Sequence, residues 1–383
     1  MAAPSLAKHR PKEKNPFHTH TGFPGLGVCF ETEGKTMKKV LFATTALIAT
    51  ASMAAADVRI SGYGRFGLDY NDRNSNKITD PNYNGISETT ITSRLRLQFD
   101  MSTETDGGVT LGARFRAQAE SRDNAPGGAV FNGARFYASV GGFTLGVGNI
   151  IGAIEGMPGL YLETKSAGMG IDGAGFHSLV TNVAANVAGQ FFNWDAYSSA
   201  GVGANGLEVL YSAGAFGGHL SYSTDNDTVV GGVRTAIGGD RIAVNLSYTF
   251  GDWTAALGLQ DSDTIGEDKT VLTVAGKLGQ FGVRLAYADN DGIDKFGIYG
   301  NMDIGAASNI LLFVTSEDAA DAGAIAQGRD NRDVTVGNDR GGEGESYGIH
   351  YSYDLGGGAS FEAGAVKSSN DQTQVQAGVF FTF

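Results

Sequence analysis

Six arginines, Arg65, Arg94, Arg96, Arg114, Arg116 and Arg135, are the residues of this chain most able to do physical work on a passing molecule. Two pairs of them stand two residues apart, a spacing that puts both members on one face of an extended strand. A guanidinium stays charged at any ordinary pH, so such a set lining one surface makes a fixed positive field. A counterpart lies downstream, in the long stretch 150–205, which contains Glu155, Glu163, Asp172 and Asp195. Carboxylates set across a water-filled gap from guanidiniums would order water and favour polar or charged solutes over apolar ones.

Other patterns suggest chemistry and do not sustain it. Gly62-Tyr63-Gly64-Arg65-Phe66-Gly67 matches G-x-G-x-x-G letter for letter. A dinucleotide site needs a buried strand before those glycines and a helix after them, whereas these lie inside an alternating strand. Asp289-Asn290-Asp291-Gly292-Ile293-Asp294 begins like a calcium loop but has no Glu at the twelfth position. A polar hairpin loop is favoured over calcium there, and the same reading holds for Asp261, Asp263, Glu267 and Asp268. His177, His219 and His350 are far apart and have neither metal-ligand spacing nor a serine elbow, so no cofactor, metal centre or catalytic residue is assigned and the chain does not read as an enzyme.

The arginines are positioned by strands of unusual regularity. From Val58 to Tyr70 the even positions read Val, Ile, Gly, Gly, Phe, Leu, Tyr and the odd ones Arg, Ser, Tyr, Arg, Gly, Asp. Ile91, Ser93, Leu95, Leu97, Phe99 and Met101 oppose Thr92, Arg94, Arg96, Gln98 and Asp100. Val109, Leu111, Ala113, Phe115 and Ala117 oppose Thr110, Arg114, Arg116, Gln118 and Glu120. Ile242 to Phe250, Trp253 to Gln260, Phe281 to Tyr287 and Gln374 to Phe383 continue the period of two, which defines a strand with one apolar and one polar face.

Short connections such as Gly141-Gly142, Gly214, Gly251-Asp252, Gly279-Gln280, Ala306-Ala307 and Gly356-Gly357-Gly358 alternate with long polar ones near 71–86, 121–132, 150–205, 224–240, 261–268, 289–295 and 316–345. Short turns at one end and long loops at the other are the outer-membrane pattern. Counting between them predicts an all-β, transmembrane antiparallel β-barrel of about 16 strands, with Thr228 to Ile237 as a further strand outside the membrane. Tyr and Trp near strand ends (Tyr70, Tyr248, Trp253, Tyr287, Tyr353) fit rings at the headgroup boundary. The 150–205 insert falls between the fifth and sixth strands. Its apolar stretches, Ile150-Ile151 and Met157 to Leu162, suit packing against a wall, so it is expected to fold inward as a constriction loop.

Met37 to Ala56 reads as an export signal, with Lys38-Lys39, an apolar run from Val40 to Ala51 and small residues at Ala54-Ala55-Ala56. The expectation is therefore a signal peptide over 37–56, a barrel over 57–383, and an upstream extension over 1–36 that is either mis-assigned or disordered. Removing residues 1–56 takes away the only cysteine, Cys29, with seven of the 28 basic and three of the 41 acidic residues. The remaining 327 residues then carry a net charge of −17 and no thiol. That balance argues against a nucleic-acid partner and excludes disulfides and thiolate metal sites.

Three stretches carry a family likeness: Val209-Leu210-Tyr211-Ser212-Ala213-Gly214-Ala215-Phe216, Tyr248-Thr249-Phe250-Gly251-Asp252, and Ser352-Tyr353-Asp354-Leu355-Gly356-Gly357-Gly358-Ala359-Ser360. With the export signal and terminal Phe383, the chain resembles the alphaproteobacterial general diffusion porins of the Rhodobacter type. The resemblance implies a sixteen-stranded homotrimer in the outer membrane, in contact with its lipid and lipopolysaccharide, that passes small hydrophilic solutes and ions passively. It also implies weak calcium binding at the acidic loops, and that the third external loop, here about 150–205, forms an eyelet. In that arrangement Arg65, Arg94, Arg96, Arg114, Arg116 and Arg135 on the wall face Glu155, Glu163 and Asp172. This loop is richer in Gly, Ala and Val than the family leads one to expect. The acidic mouth predicts mild cation preference, against which the arginines act. The alternatives are a substrate-specific channel, marked by saturable uptake, and a structural or adhesive barrel.

Overall fold

The computed structural model describes residues 56–80, 83–121, 128–162, 164, 194–199, 201–224, 228–230, 233–236, 239–332 and 342–383. The 1–36 extension and nearly all of the 37–56 signal lie outside the described residues, as do Glu163 and Asp172. Strands β1 (Asp57–Asn71), β2 (Thr89–Glu104), β3 (Thr110–Ser121), β4 (Ala129–Phe131), β5 (Arg135–Val140) and β6 (Phe143–Asn149) precede the long insert. After it come β7 (Asn205–Ala213), β8 (Phe216–Thr224), β9 (Thr228–Val230), β10 (Val233–Ala236), β11 (Asp240–Phe250), β12 (Trp253–Ser262) and β13 (Lys269–Leu278). The last are β14 (Phe281–Asn290), β15 (Asp294–Ile304), β16 (Ser308–Glu317), β17 (Gly344–Gly356), β18 (Ala359–Lys367) and β19 (Thr373–Thr382). A one-turn helix, Ala322–Ala326, interrupts the loop before β17, with the Asp321 carboxylate accepting from the Ala324 amide at 2.7 Å.

Each strand of the main sheet pairs antiparallel with its neighbour in order, and β19 returns to pair with β1, which closes the sheet on itself. Because β4 and β5 both pair with β3, they are two pieces of one wall strand broken at Asn132–Ala134, and the barrel wall has sixteen strands. The stretch anticipated as one extra strand is instead a hairpin, β9 with β10, that pairs only with itself. The closing seam is tight. Gly62 and Phe383 exchange backbone hydrogen bonds at 3.0 and 3.2 Å, and the end of the Phe381 ring occupies the space beside Gly64, where a Cβ would stand 2.3 Å from Cζ.

Polarity is inside out. Val58, Ile60, Phe66 and Leu68 of β1 are each more than half exposed, while Arg65 among them is 2% exposed. The same holds across the wall for Leu95, Leu111, Leu246, Leu285 and Val314, against buried His219, Asn245, Arg284 and Gln376. A surface this apolar is a lipid face. The turns follow the loop asymmetry: Gly141 and Gly142, both at positive φ, reverse the chain between β5 and β6 in two residues. The opposite end carries the long connections, except that the stretch near 289–295, expected to be one of them, is a tight turn because β14 and β15 pair as far as Asp289 and Asp294. No helix among the described residues is long and apolar enough to cross a membrane; the strands cross instead.

The polarity is checked with single cysteines in the barrel. Leu246→Cys should react with a lipid-soluble maleimide and resist a charged one, whereas Arg114→Cys should show the reverse, measured by mass spectrometry on vesicle-embedded protein.

Candidate functional site: a loop seated inside the barrel

The segment that leaves β6 runs along the inner wall. Ile150, Ala153, Ile154, Met157, Leu160 and Leu162 are all buried. Ala153, Ile154, Met157, Leu160 and Leu162 cluster with inward-facing apolar side chains on the far wall: Ala243, Ala256, Val271, Ala286, Leu311 and Phe313. At Gly258 of β12 the missing side chain admits Met157, whose sulfur would stand 2.8 Å from a Cβ there. Burying this surface drives docking, and polar groups fix its register. The Ala153 amide donates to Ser221 Oγ at 2.9 Å and its carbonyl accepts from Asn245 Nδ2. Thr273 Oγ1 donates to the Pro158 carbonyl at 2.7 Å, and Arg284 donates to the Tyr161 carbonyl. The segment thus crosses β8, β11, β12, β13 and β14 in turn.

The returning leg, Trp194 to Ser199, comes back toward β3. The Asp195 carboxylate meets Arg241 at 3.2 Å, and the same guanidinium grips Glu267. Lys269 Nζ sits over the Trp194 ring at 5.9 Å. Tyr197 donates to the Arg114 carbonyl at 3.0 Å while its ring lies under the Arg116 guanidinium at 4.5 Å. The two legs are tied by Glu155, whose Oε2 accepts from Trp194 Nε1 at 2.9 Å and from the Tyr161 hydroxyl. Arg116 and Arg96 act electrostatically on that carboxylate.

The arginines of β2 and β3 form two matching strings. Arg94 donates to Glu120 at 2.9 Å, Gln118 donates to the same carboxylate at 3.2 Å, and Arg96 donates to Gln118 Oε1 at 2.9 Å. Across the ladder, Arg114 pairs with Asp100, Gln98 donates to Asp100 at 2.8 Å, and Arg116 donates to Gln98 at 3.0 Å. The symmetry is written in the chain: Arg94-x-Arg96-x-Gln98-x-Asp100 is repeated as Arg114-x-Arg116-x-Gln118-x-Glu120. Antiparallel register sets each Arg opposite an acid or a Gln of the other copy. Arg96 also lies over the Tyr63 ring at 5.0 Å.

Of the residues expected to form the site, Arg96 and Arg116 lie close enough to Glu155 to act on it electrostatically. Arg94, Arg114 and Arg135 pair with the wall carboxylates Glu120, Asp100 and Glu208, Asp195 pairs with Arg241, and Arg65 lies inward beside Arg94 in register. His219 and His350 face inward but are buried against Glu208 and Glu362 at 2.9 and 3.0 Å. The 62–67 glycine pattern lies within β1. Asp291 and Gly292, both at positive φ, form a two-residue hairpin turn, in which Asp289 accepts from the Gly292 amide and Asp291 from the Gly266 amide. Among the described residues no group of three or more His, Cys, Asp or Glu is placed to hold a metal ion.

A closed barrel with a lipid face outside, charged side chains inside and a loop seated across its interior belongs to the channel-forming class of outer-membrane proteins. The model of the Gram-negative porins matches residues 43–373, and the chain belongs to that family. It is 31% identical to a porin of Fuscovulum blasticum over 281 residues, 70% of this chain and 86% of the relative. It is 27% identical to a porin of Rhodobacter capsulatus over 348 residues, 85% of this chain and all of the relative. A solved structure of an engineered Rhodopseudomonas blastica porin superposes with a TM-score of 0.63 at 26% identity, covering 85% of this chain and all of that one. The protein is an outer-membrane porin, a water-filled barrel through which small hydrophilic solutes and ions diffuse.

Docking of the outgoing leg predicts that Leu160→Ala, which empties a fully buried site, weakens the seat by about 2–5 kcal/mol. Hydrogen exchange of amides 151–162 should speed up while that of the β12 and β13 amides stays as in the parent.

Proposed function

We propose that solutes are sorted at the level of Arg96 and Arg116, between that wall and the inserted loop carrying Glu155. The supporting observation is the docking of Ile150 to Leu162 on the inner face of the opposite wall, which brings loop backbone and a carboxylate into the lumen. Size is then limited by the loop and charge by the field from the two central arginines to Glu155. Such fields act strongly where walls of low dielectric confine the water. Glu163 and Asp172 would add to the acidic side of this field, and Arg65, Arg94, Arg114 and Arg135 hold the wall around the basic side.

The working unit we propose is a homotrimer, seated in outer-membrane lipid and lipopolysaccharide. What supports it is a set of small residues on the outer face near the closing seam, Ala363 of β18, Ala377 of β19 and Gly62 and Gly64 of β1, set among larger apolar side chains. Small side chains let two flat walls approach closely in a bilayer. The channel needs no cofactor in this reading, and weak calcium binding at the external acidic loops would serve the rim and not conduction.

Planar-bilayer recordings test the constriction. Joining Asn149 to Asn205 through a short turn should enlarge the single-channel conductance, and an unchanged value would remove the loop from the conducting path. Replacing Arg96 and Arg116 together by Ala should move the reversal potential in a salt gradient toward the cation side; a shift toward anions would contradict the proposed field.

A further inference from the structure

Glu208 of β7 points into the barrel and is 1% exposed. Its Oε1 accepts from Arg135 Nε at 2.5 Å. Its Oε2 meets His219 Nε2 at 2.9 Å and accepts from the backbone amides of Ile151 at 3.0 Å and Gly152 at 3.3 Å. Those two amides belong to the first residues of the inserted loop after β6. Arg135 is on β5, so its bond to Glu208 must pass over β6. It does so at Gly146, where a Cβ would stand 2.6 Å from Glu208 Oε1 and 2.9 Å from Arg135 Nη2. The same cluster touches the loop again: a Cβ at Gly156 would lie 2.8 Å from His219 Nδ1.

We propose that Glu208 is the positioning residue of the constriction, a carboxylate clamp that fixes the angle at which the loop leaves the wall. The proposal rests on the reading of that loop as the size-limiting element. Only an acceptor on both heads satisfies this geometry, because every group facing it, one guanidinium, one imidazole and two amides, can donate. A buried carboxylate is tolerated when so many donors surround it. Glutamine keeps the volume but turns one head into a donor, which must then oppose either Arg135 or the two loop amides. The consequence is felt downstream, since a small rotation at Ile151 and Gly152 displaces the segment bearing Glu155 and Tyr161. Neither residue touches Glu208, so the clamp acts on the passage through the backbone alone.

The test uses the full-length protein in planar bilayers and in liposomes swollen with sugars of graded size. Glu208→Gln should raise open-channel current noise severalfold and shift the exclusion limit toward that of the loop-shortened channel. Ile151→Pro, which removes one amide donor and leaves the Arg135–Glu208–His219 cluster intact, should move both readings the same way by less. Wild-type noise and exclusion limit in Glu208→Gln, beside an enlarged loop-shortened channel, would overturn the clamp and leave the constriction standing. An unaltered loop-shortened channel would overturn both. Should Glu208→Gln fail to assemble, wild-type behaviour of Ile151→Pro carries the refutation.

Discussion

A backbone amide in hydrocarbon has no water to bond to, and leaving it unpaired costs several kcal/mol. That constraint is met here by one closed antiparallel ladder from β1 around to β19 and back. Closure then dictates side-chain placement. With period two along each strand, one face must meet lipid and the other the enclosed space, so Leu246 and Leu285 point out while Asn245 and Arg284 point in. A hydrated lumen is the result, and it is wide enough that side chains alone do not fill it. Something must be laid inside if the opening is to discriminate.

The two sides of the lumen are specialised for that. The arc from β11 to β16 breaks its own pattern by turning Ala243, Ala256, Leu311 and Phe313 inward, and this apolar floor is where the loop rests. The arc of β2 and β3 keeps its polar face and uses it for charge. There the repeated Arg-x-Arg-x-Gln-x-acid pattern neutralises its own ends through Arg94–Glu120 and Arg114–Asp100 and leaves Gln at the centre as spacer. Carboxamides can hold a guanidinium in place without cancelling its charge, so the two central arginines keep theirs.

Much of this was readable in advance because parity is a local property. Alternation over Val58–Tyr70 or Ile91–Met101 says which side chains share a face, and short turns against long loops say which end is which. The apolar content of Ile150 to Leu162 likewise told of a segment unsuited to open water. Cross-strand register is not local, and so the wall partners Asp100, Glu120 and Glu208 escaped, although the repeated Arg-Gln-acid pattern was a usable signal. The continuous apolar run Ile310 to Val314 was another: a strand greasy on both faces in a water-filled barrel has to be covered from within. The Asn132–Ala134 break in the fourth wall strand and the β9–β10 hairpin depend on tertiary contacts and left no mark on periodicity.

The seam between the first and last strands carries a kinetic consequence. Gln374 bonds Asp69 from 305 residues away along the chain, and Phe383 itself completes the pairing with Gly62. Until β19 meets β1, both margins of the sheet stay open, and an open margin is a template for pairing with any other extended chain. Contacts of such high order form slowly, so the chain must remain unassembled through its whole synthesis and transit. Pairing of β19 with β1, with the Phe381 ring packed at Gly64, closes both margins at once and ends that exposure.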